Sequence, residues 1–241
     1  MSLQHLSEPF LLSFRENFML YHIYNSNAIN GNTLTFEETI RVIKDGIVAA
    51  NKPIKDHLDV IGLFDAFNYM LSIAENKKPL CEKVIKKLHS LVLINDAVNK
   101  GIYRNLPVTV IGAFHLPPAA YLVPKQIKSL LADYEKMKLD KHILEAITMF
   151  HLHFLHIHPF LIGNGRTGRL IINLELIKNG FLPIDIPFED RRTYYNCLNK
   201  FYSNGELIHN ELLKLLKDYE ELELHKYISF YKKLQRNRFS K

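Results

Sequence analysis

Residues 143–169 read ILEAITMFHLHFLHIHPFLIGNGRTGR, and this stretch decides the fold. Leu144, Ile147, Phe150, Phe154 and Ile157 recur at helical intervals, which places them on one apolar stripe of a helix over 143–157. Pro159 ends that helix, because a proline pushes the residue before it out of the α region. His158 is therefore expected at or just beyond the helix end, where its side chain can face a cleft. The loop 160–166 follows and runs into a second helical pattern from Thr167 to Leu174. Gly163 and Gly165 flank Asn164, so the backbone can take positive φ and turn successive N–H groups toward one point, an anion-binding nest. The start of the second helix adds its partial positive charge. Arg166 and Arg169 stand three apart in that first turn, where cations oppose the macrodipole, and the placement points to a phosphate nearby. The GxxxxGK[ST] spacing of a P-loop is absent, so a nucleotide bound here is held in another way.

Outward from this stretch the same period continues, as in Ile40, Ile43, Ile47 and Val48, and in Val84, Ile85, Leu88, Leu91 and Val92. The expected fold class is all-α. The period breaks at 105–124, where Val108, Thr109, Val110 and Ile111 are followed by Gly112 and then by Pro117 and Pro118. β-Branched residues bounded by turn formers predict a short β-hairpin or extended flap. Pro183 and Pro187 mark another loop, and helical patterns resume from Arg191 to the end. Neither an internal repeat nor a Gly/Ser linker interrupts the chain.

The chain has 241 residues, 47% of them hydrophobic, with ten Gly and ten Pro, which excludes disordered and collagen-like classes and allows a substantial core. No apolar run approaches the roughly 20 residues of a membrane span, and the first residues have neither the basic start nor the apolar run of a signal peptide. The cytoplasm is the expected compartment, with no membrane partner. Cys81 and Cys197 are isolated thiols that encode neither a disulfide framework nor a zinc knuckle. The formal charge of +6 is spread along the chain as a solvated surface. Lys232, Lys233, Arg236, Arg238 and Lys241 form the one basic cluster, readable as a helix end with cations suited to its dipole or as a contact for nucleic acid or an acidic protein, with the helix end the simpler account. His151, His153, His156 and His158 lack the spacing and the glutamate of a zinc site, and His151 is expected to hydrogen-bond within the domain.

The run from His158 through Phe160, Ile162, Gly163, Asn164, Gly165 and Arg166 to Arg169 resembles the Fic family signature HxFx[DE]GNGRxxR. The resemblance takes in the preceding helix, Gly101 to Arg104, and Arg192 to Tyr195. It implies a Fic-type helical bundle over 80–217 with the hairpin as its flap, an N-terminal helical region over 1–79, and a basic C-terminal helix or tail over 218–241. The family transfers AMP from ATP to a hydroxyl of a target protein, and Gly165, where the related Doc branch has Lys, sides with the nucleotidyl transferases. On this resemblance His158 would be the general base, Phe160 would pack beneath the loop, and Gly163, Asn164, Gly165, Arg166 and Arg169 would hold the phosphates. Tyr195 would wall the adenine pocket, and Thr109, Val110, Ile111 and Gly112 would hold the target by strand addition. ATP and a target with a Ser, Thr or Tyr hydroxyl are the implied partners, alongside a homo-oligomer or an antitoxin.

Two positions depart from the family pattern. Ile162 stands where an Asp or Glu holds the family's Mg²⁺, so the metal site is expected to be weakened, and a second reading follows, a nucleotide- or partner-binding module with impaired catalysis. Ser26 to Gly31 resembles the inhibitory motif [ST]xxxE[GN], with Asn30 in place of the Glu. An amide cannot make the charged bidentate pair with Arg169, so a weak brake is expected. Ser26 by itself also reads as a helix N-cap.

Overall fold

Most apolar residues at helical spacing lie in helices in the computed structural model, which describes residues 8–110, 115–204 and 209–239. Ile47 and Val48 do not: Gly46 ends the helix before them in the left-handed region, and both side chains stand exposed in irregular chain beyond it. Among these residues the order is α1 (Glu8–Ile29), α2 (Phe36–Asp45), α3 (Ile54–Glu75), α4 (Glu82–Val92), α5 (Val123–Asp140), α6 (Ile143–Ile157), α7 (Asn164–Lys178), α8 (Arg191–Asn204) and α9 (His209–Phe239). No strand occurs among the described residues. The expected hairpin is therefore not seen there: Thr109 and Val110 lie in irregular chain, and Ile111 and Gly112 fall outside the described residues. No helix among the described residues is long and apolar enough to cross a membrane.

Local signals set several helix ends. Thr35 caps α2 through a reciprocal pair, its Oγ1 accepting from the Glu38 N–H while Glu38 accepts from the Thr35 N–H, and Gly46 closes the other end in the left-handed region. Ser26 does not cap a helix. It lies in the last turn of α1, fully buried, because α1 extends across it to Ile29.

Helix α7 lies in the interior, packed against α3, α4 and α6, and α6 in turn packs against α5 and α9. Leu170 and Leu174 of α7 and Leu152 and Phe154 of α6 are fully buried, each contributing roughly 1.5–3 kcal/mol. The consequence for function is geometric. The C-terminal end of α6 and the N-terminal end of α7, joined by the loop 158–163, are held between α1, α3, α4 and α8, so the polar residues at that junction sit on a packed support.

Candidate active site

His158 is the residue after α6 and takes φ 48°, ψ 62°. This left-handed conformation differs from the extended one favoured before a proline, and for a residue with a Cβ it is strained. It persists because the guanidinium of Arg104 donates to the His158 carbonyl from Nε at 2.8 Å and to the Ile157 carbonyl at 3.3 Å, while the Arg104 N–H donates to the Pro159 carbonyl at 2.9 Å. The His158 imidazole is half-buried and its pKa is lowered to about 4, first by burial and then by the Arg104 charge. It is a neutral base at physiological pH.

The loop after it is closed by its own side chains. Asn164 Oδ1 accepts from the Phe160 N–H at 2.9 Å and Asn164 Nδ2 donates to the Phe160 carbonyl at 2.8 Å. Phe160 is fully buried and stacks on His89, ring centroids 3.6 Å apart. The Gly101 N–H donates to His89 Nδ1 at 2.9 Å, which leaves the proton on Nε2 to be donated to the Ile162 carbonyl, also at 2.9 Å. Burial lowers the His89 pKa to about 4, so this bridge is neutral. Gly163 sits at φ 82°, and a Cβ there would lie 3.2 Å from the His89 ring, so both conformation and space call for glycine. The first hydrogen bond of α7 runs from the Thr167 N–H to the Gly163 carbonyl at 3.0 Å, and the N–H groups ahead of it have no acceptor within the helix.

The two arginines of α7 have different fates. Arg166 is buried and makes an ion pair with Asp59 of α3 at 2.8 Å, with Asn27 Oδ1 accepting at 3.2 Å. The anion that its position in the first turn demands is thus a side chain of the protein. Arg169 instead donates to three neutral oxygens, Ser26 Oγ and the Ser26 carbonyl at 2.9 Å each and Asn30 Oδ1 at 2.6 Å. Its guanidinium also lies over the Tyr194 ring at 5.9 Å.

A cavity of ≈ 260 Å³ gathers these groups, lined by His158, Gly165, Arg169, Asn30, Val110 and Tyr195 together with Tyr194, Leu155, Leu198, Asn199 and Tyr202. Of the residues singled out from sequence, it brings together His158, Gly165, Arg169, Asn30, Val110 and Tyr195. Phe160, Gly163, Asn164 and Arg166 stand behind it as support, and Thr109 is not part of its lining. Tyr195 is partly exposed and its hydroxyl donates to the Ile29 carbonyl at 3.3 Å.

A model of the Fic/DOC family matches residues 79–176. The fold is shared with the crystal structure of a Fic domain containing signaling protein from Bacteroides thetaiotaomicron, with TM-score 0.87, 27% identity, and coverage of 95% of this chain and 92% of that one. A Fic-1 chain from C. elegans aligns with TM-score 0.80 and 30% identity over 94% of this chain and 68% of that one. The chain belongs to the Fic/DOC family. A curated relative, protein adenylyltransferase Fic of Nematostella vectensis, is 34% identical over 186 residues, 74% of this chain and 42% of that protein. The chain therefore spans less than half the length of that relative.

Within this Fic-family site, position 162 offers a metal no side-chain ligand. The Ile162 side chain is half exposed and carries no oxygen, its carbonyl is engaged by His89, and the buried Asp59 is committed to Arg166 and to Lys55. No group of three or more His, Cys, Asp or Glu side chains that could hold a metal ion is gathered among the described residues. The residues present do not fit a Mg²⁺ held by the protein. The sequence reading missed Asp59, His89 and Tyr194, and for a physical reason: each is remote in sequence from the signature and reaches it only through packing. His151 is buried, with Nε2 2.7 Å from the Tyr194 hydroxyl, as its reading as an internal hydrogen-bonding group anticipated.

Proposed function

We propose that the chain transfers AMP from ATP to a Ser, Thr or Tyr hydroxyl of a target protein. The observation that carries this reading is the shared cavity of His158, Gly165 and Arg169, where the arginine's acceptors are neutral oxygens and its charge is open to a phosphate. In the proposed step, neutral His158 takes the proton of the target hydroxyl as that oxygen bonds the α-phosphorus. The bond from the α-phosphorus to the bridging oxygen breaks, its electron pair leaves with pyrophosphate, and AMP stays on the target. Arg169 and the free N–H groups at the start of α7 offset the charge on the departing phosphates. Tyr195 borders the base of the nucleotide, and Thr109 and Val110 with Ile111 and Gly112 hold the target segment. Asn164, Gly163 and the Arg166–Asp59 pair keep the loop in shape. No step passes through a metal.

Ile162 favours a second reading, a nucleotide- or partner-binding module with little turnover. Incubation with ATP labelled at the α-phosphate, with Mg²⁺ or Mn²⁺ and cell lysate, separates the two when the native chain is run beside His158→Ala and Ile162→Asp. Label transferred by the native chain and lost in His158→Ala supports transfer. Label only with Ile162→Asp supports the binding module, and none with any form overturns the transfer reading.

A further inference from the structure

Arg104 is buried to 3% exposure, yet its guanidinium faces backbone carbonyls alone among its hydrogen-bond partners. No carboxylate meets it among the described residues, a costly placement for a buried cation, and the four hydrogen bonds from Nε, Nη1 and Nη2 offset that cost. Those donors go to two places. Nε and Nη2 reach the His158 and Ile157 carbonyls at the end of α6, the negative end of that helix. Nη1 reaches the Leu106 carbonyl at 3.1 Å and Nη2 the Pro118 carbonyl, which are the two limbs of the segment that carries Thr109 and Val110. A single planar fork thus closes the base of this segment and holds the strained turn of the histidine below it. Lysine, with three donors on a point charge, cannot reproduce that geometry.

We infer that Arg104 is the positioning residue of the site, setting the aim of His158 and the placement of the target-holding segment over the same cavity through one guanidinium. The inference rests on the transfer reading. Its consequence is that the base and the segment that presents the hydroxyl move as one unit, which matters because a displacement of about 1 Å can cost about 100-fold in rate. The charged and titratable groups around the imidazole are Arg104 and His115 from the segment and Arg169, Tyr194, Tyr195 and Tyr202 from α7 and α8 across the cavity. Arg104 exerts the strongest charge effect among them.

The test uses the full chain with Arg104→Met and Arg104→Lys, each checked for helix content. His158 is titrated by NMR, amide exchange is followed at Val108 to Val110 and at His115 and Leu116, and binding of a non-hydrolysable ATP analogue and the pH dependence of α-phosphate label transfer are measured. In Arg104→Met the His158 midpoint should rise from its native value and exchange in the segment should quicken at least tenfold, with analogue affinity within about twofold. In Arg104→Lys the midpoint should stay low, because the charge is kept, while exchange quickens as in Arg104→Met. A folded Arg104→Lys with native exchange in the segment overturns the inference, as does a folded Arg104→Met with a native His158 midpoint. Absence of label transfer by the native chain would count against the transfer reading alone, since the titration and the exchange are measured without turnover.

Discussion

Arg169 of α7 donates to Asn30 Oδ1 at 2.6 Å, just past the end of α1. Together with the two bonds to Ser26, this contact holds the last turn of α1 on the guanidinium that lines the cavity. A neutral amide competes weakly with a polyphosphate for an arginine, whereas a carboxylate makes a charge-assisted, two-pronged pair of about twice the strength. Asn30→Glu is expected to weaken binding of a non-hydrolysable ATP analogue by about tenfold or more, and Asn30→Ala to strengthen it slightly, as read by calorimetric titration. Equal affinity in native chain and Asn30→Glu would remove Arg169 from the proposed nucleotide subsite.

Asp59 and Arg166 form a buried ion pair, exposed by 3% and 5%. Removing one partner leaves an uncompensated charge in the interior. Asp59→Asn is expected to lower stability by about 3–5 kcal/mol, whereas Asp59→Leu combined with Arg166→Met should recover much of the loss, measured by urea unfolding. The double variant losing as much as the single one would show that the pair acts through something besides charge.

Gly168 marks the close approach of α7 to α6, for a Cβ there would stand 2.9 Å from His151 Cε1. Gly168→Ala should cost roughly 1–3 kcal/mol, since the ring is fully buried and has little room to yield. Because His151 Nε2 meets the Tyr194 hydroxyl, the strain should reach the cavity and reduce analogue affinity as well. A thermal melt beside a binding titration checks both effects.

Three histidines are held well below the ordinary value near 6.5: His89 and His158 at about 4 and His151 at about 3, burial being the first cause of each. The unfolded chain therefore takes up their protons first as pH falls. Their contribution is complete above about pH 6.5 and is lost progressively toward pH 4, at roughly 1.4 kcal/mol per pH unit for each group in that window. The urea midpoint should fall steadily from pH 7 to pH 4.5, and His89→Gln should flatten the slope by about one group's share. A midpoint independent of pH over this range would contradict the buried neutral state of these rings.

The helices were legible because their cause is local. The stripe Leu144, Ile147, Phe150, Phe154 and Ile157 with Pro159 beyond it places α6 at Ile143–Ile157, as the structure has it. The flap segment was less legible, since β-branched residues such as Thr109 and Val110 favour a strand only when a partner strand is present, and here they run as irregular chain. The alternative reading of Ser26 as an N-cap failed because α1 runs on across it to Ile29, packed against α2, α3 and α7.

The sequence by itself determined the all-α class, the family signature, the histidine at 158 beyond the end of a helix, and the presence of Ile162 where the family pattern has an acid, all of which depend on residue identity and short spacing. Only the tertiary structure decided which signature residues face the cavity and which support it. Arg166 and Arg169 are one turn apart on the same helix, yet α3 supplies a carboxylate to the first and α1 only neutral oxygens to the second. Arg104 lies 54 residues before His158 and meets its carbonyl only because the chain returns across the end of α6. Charge compensation and backbone strain depend on which atoms lie within a few ångströms, and packing between distant segments sets that distance.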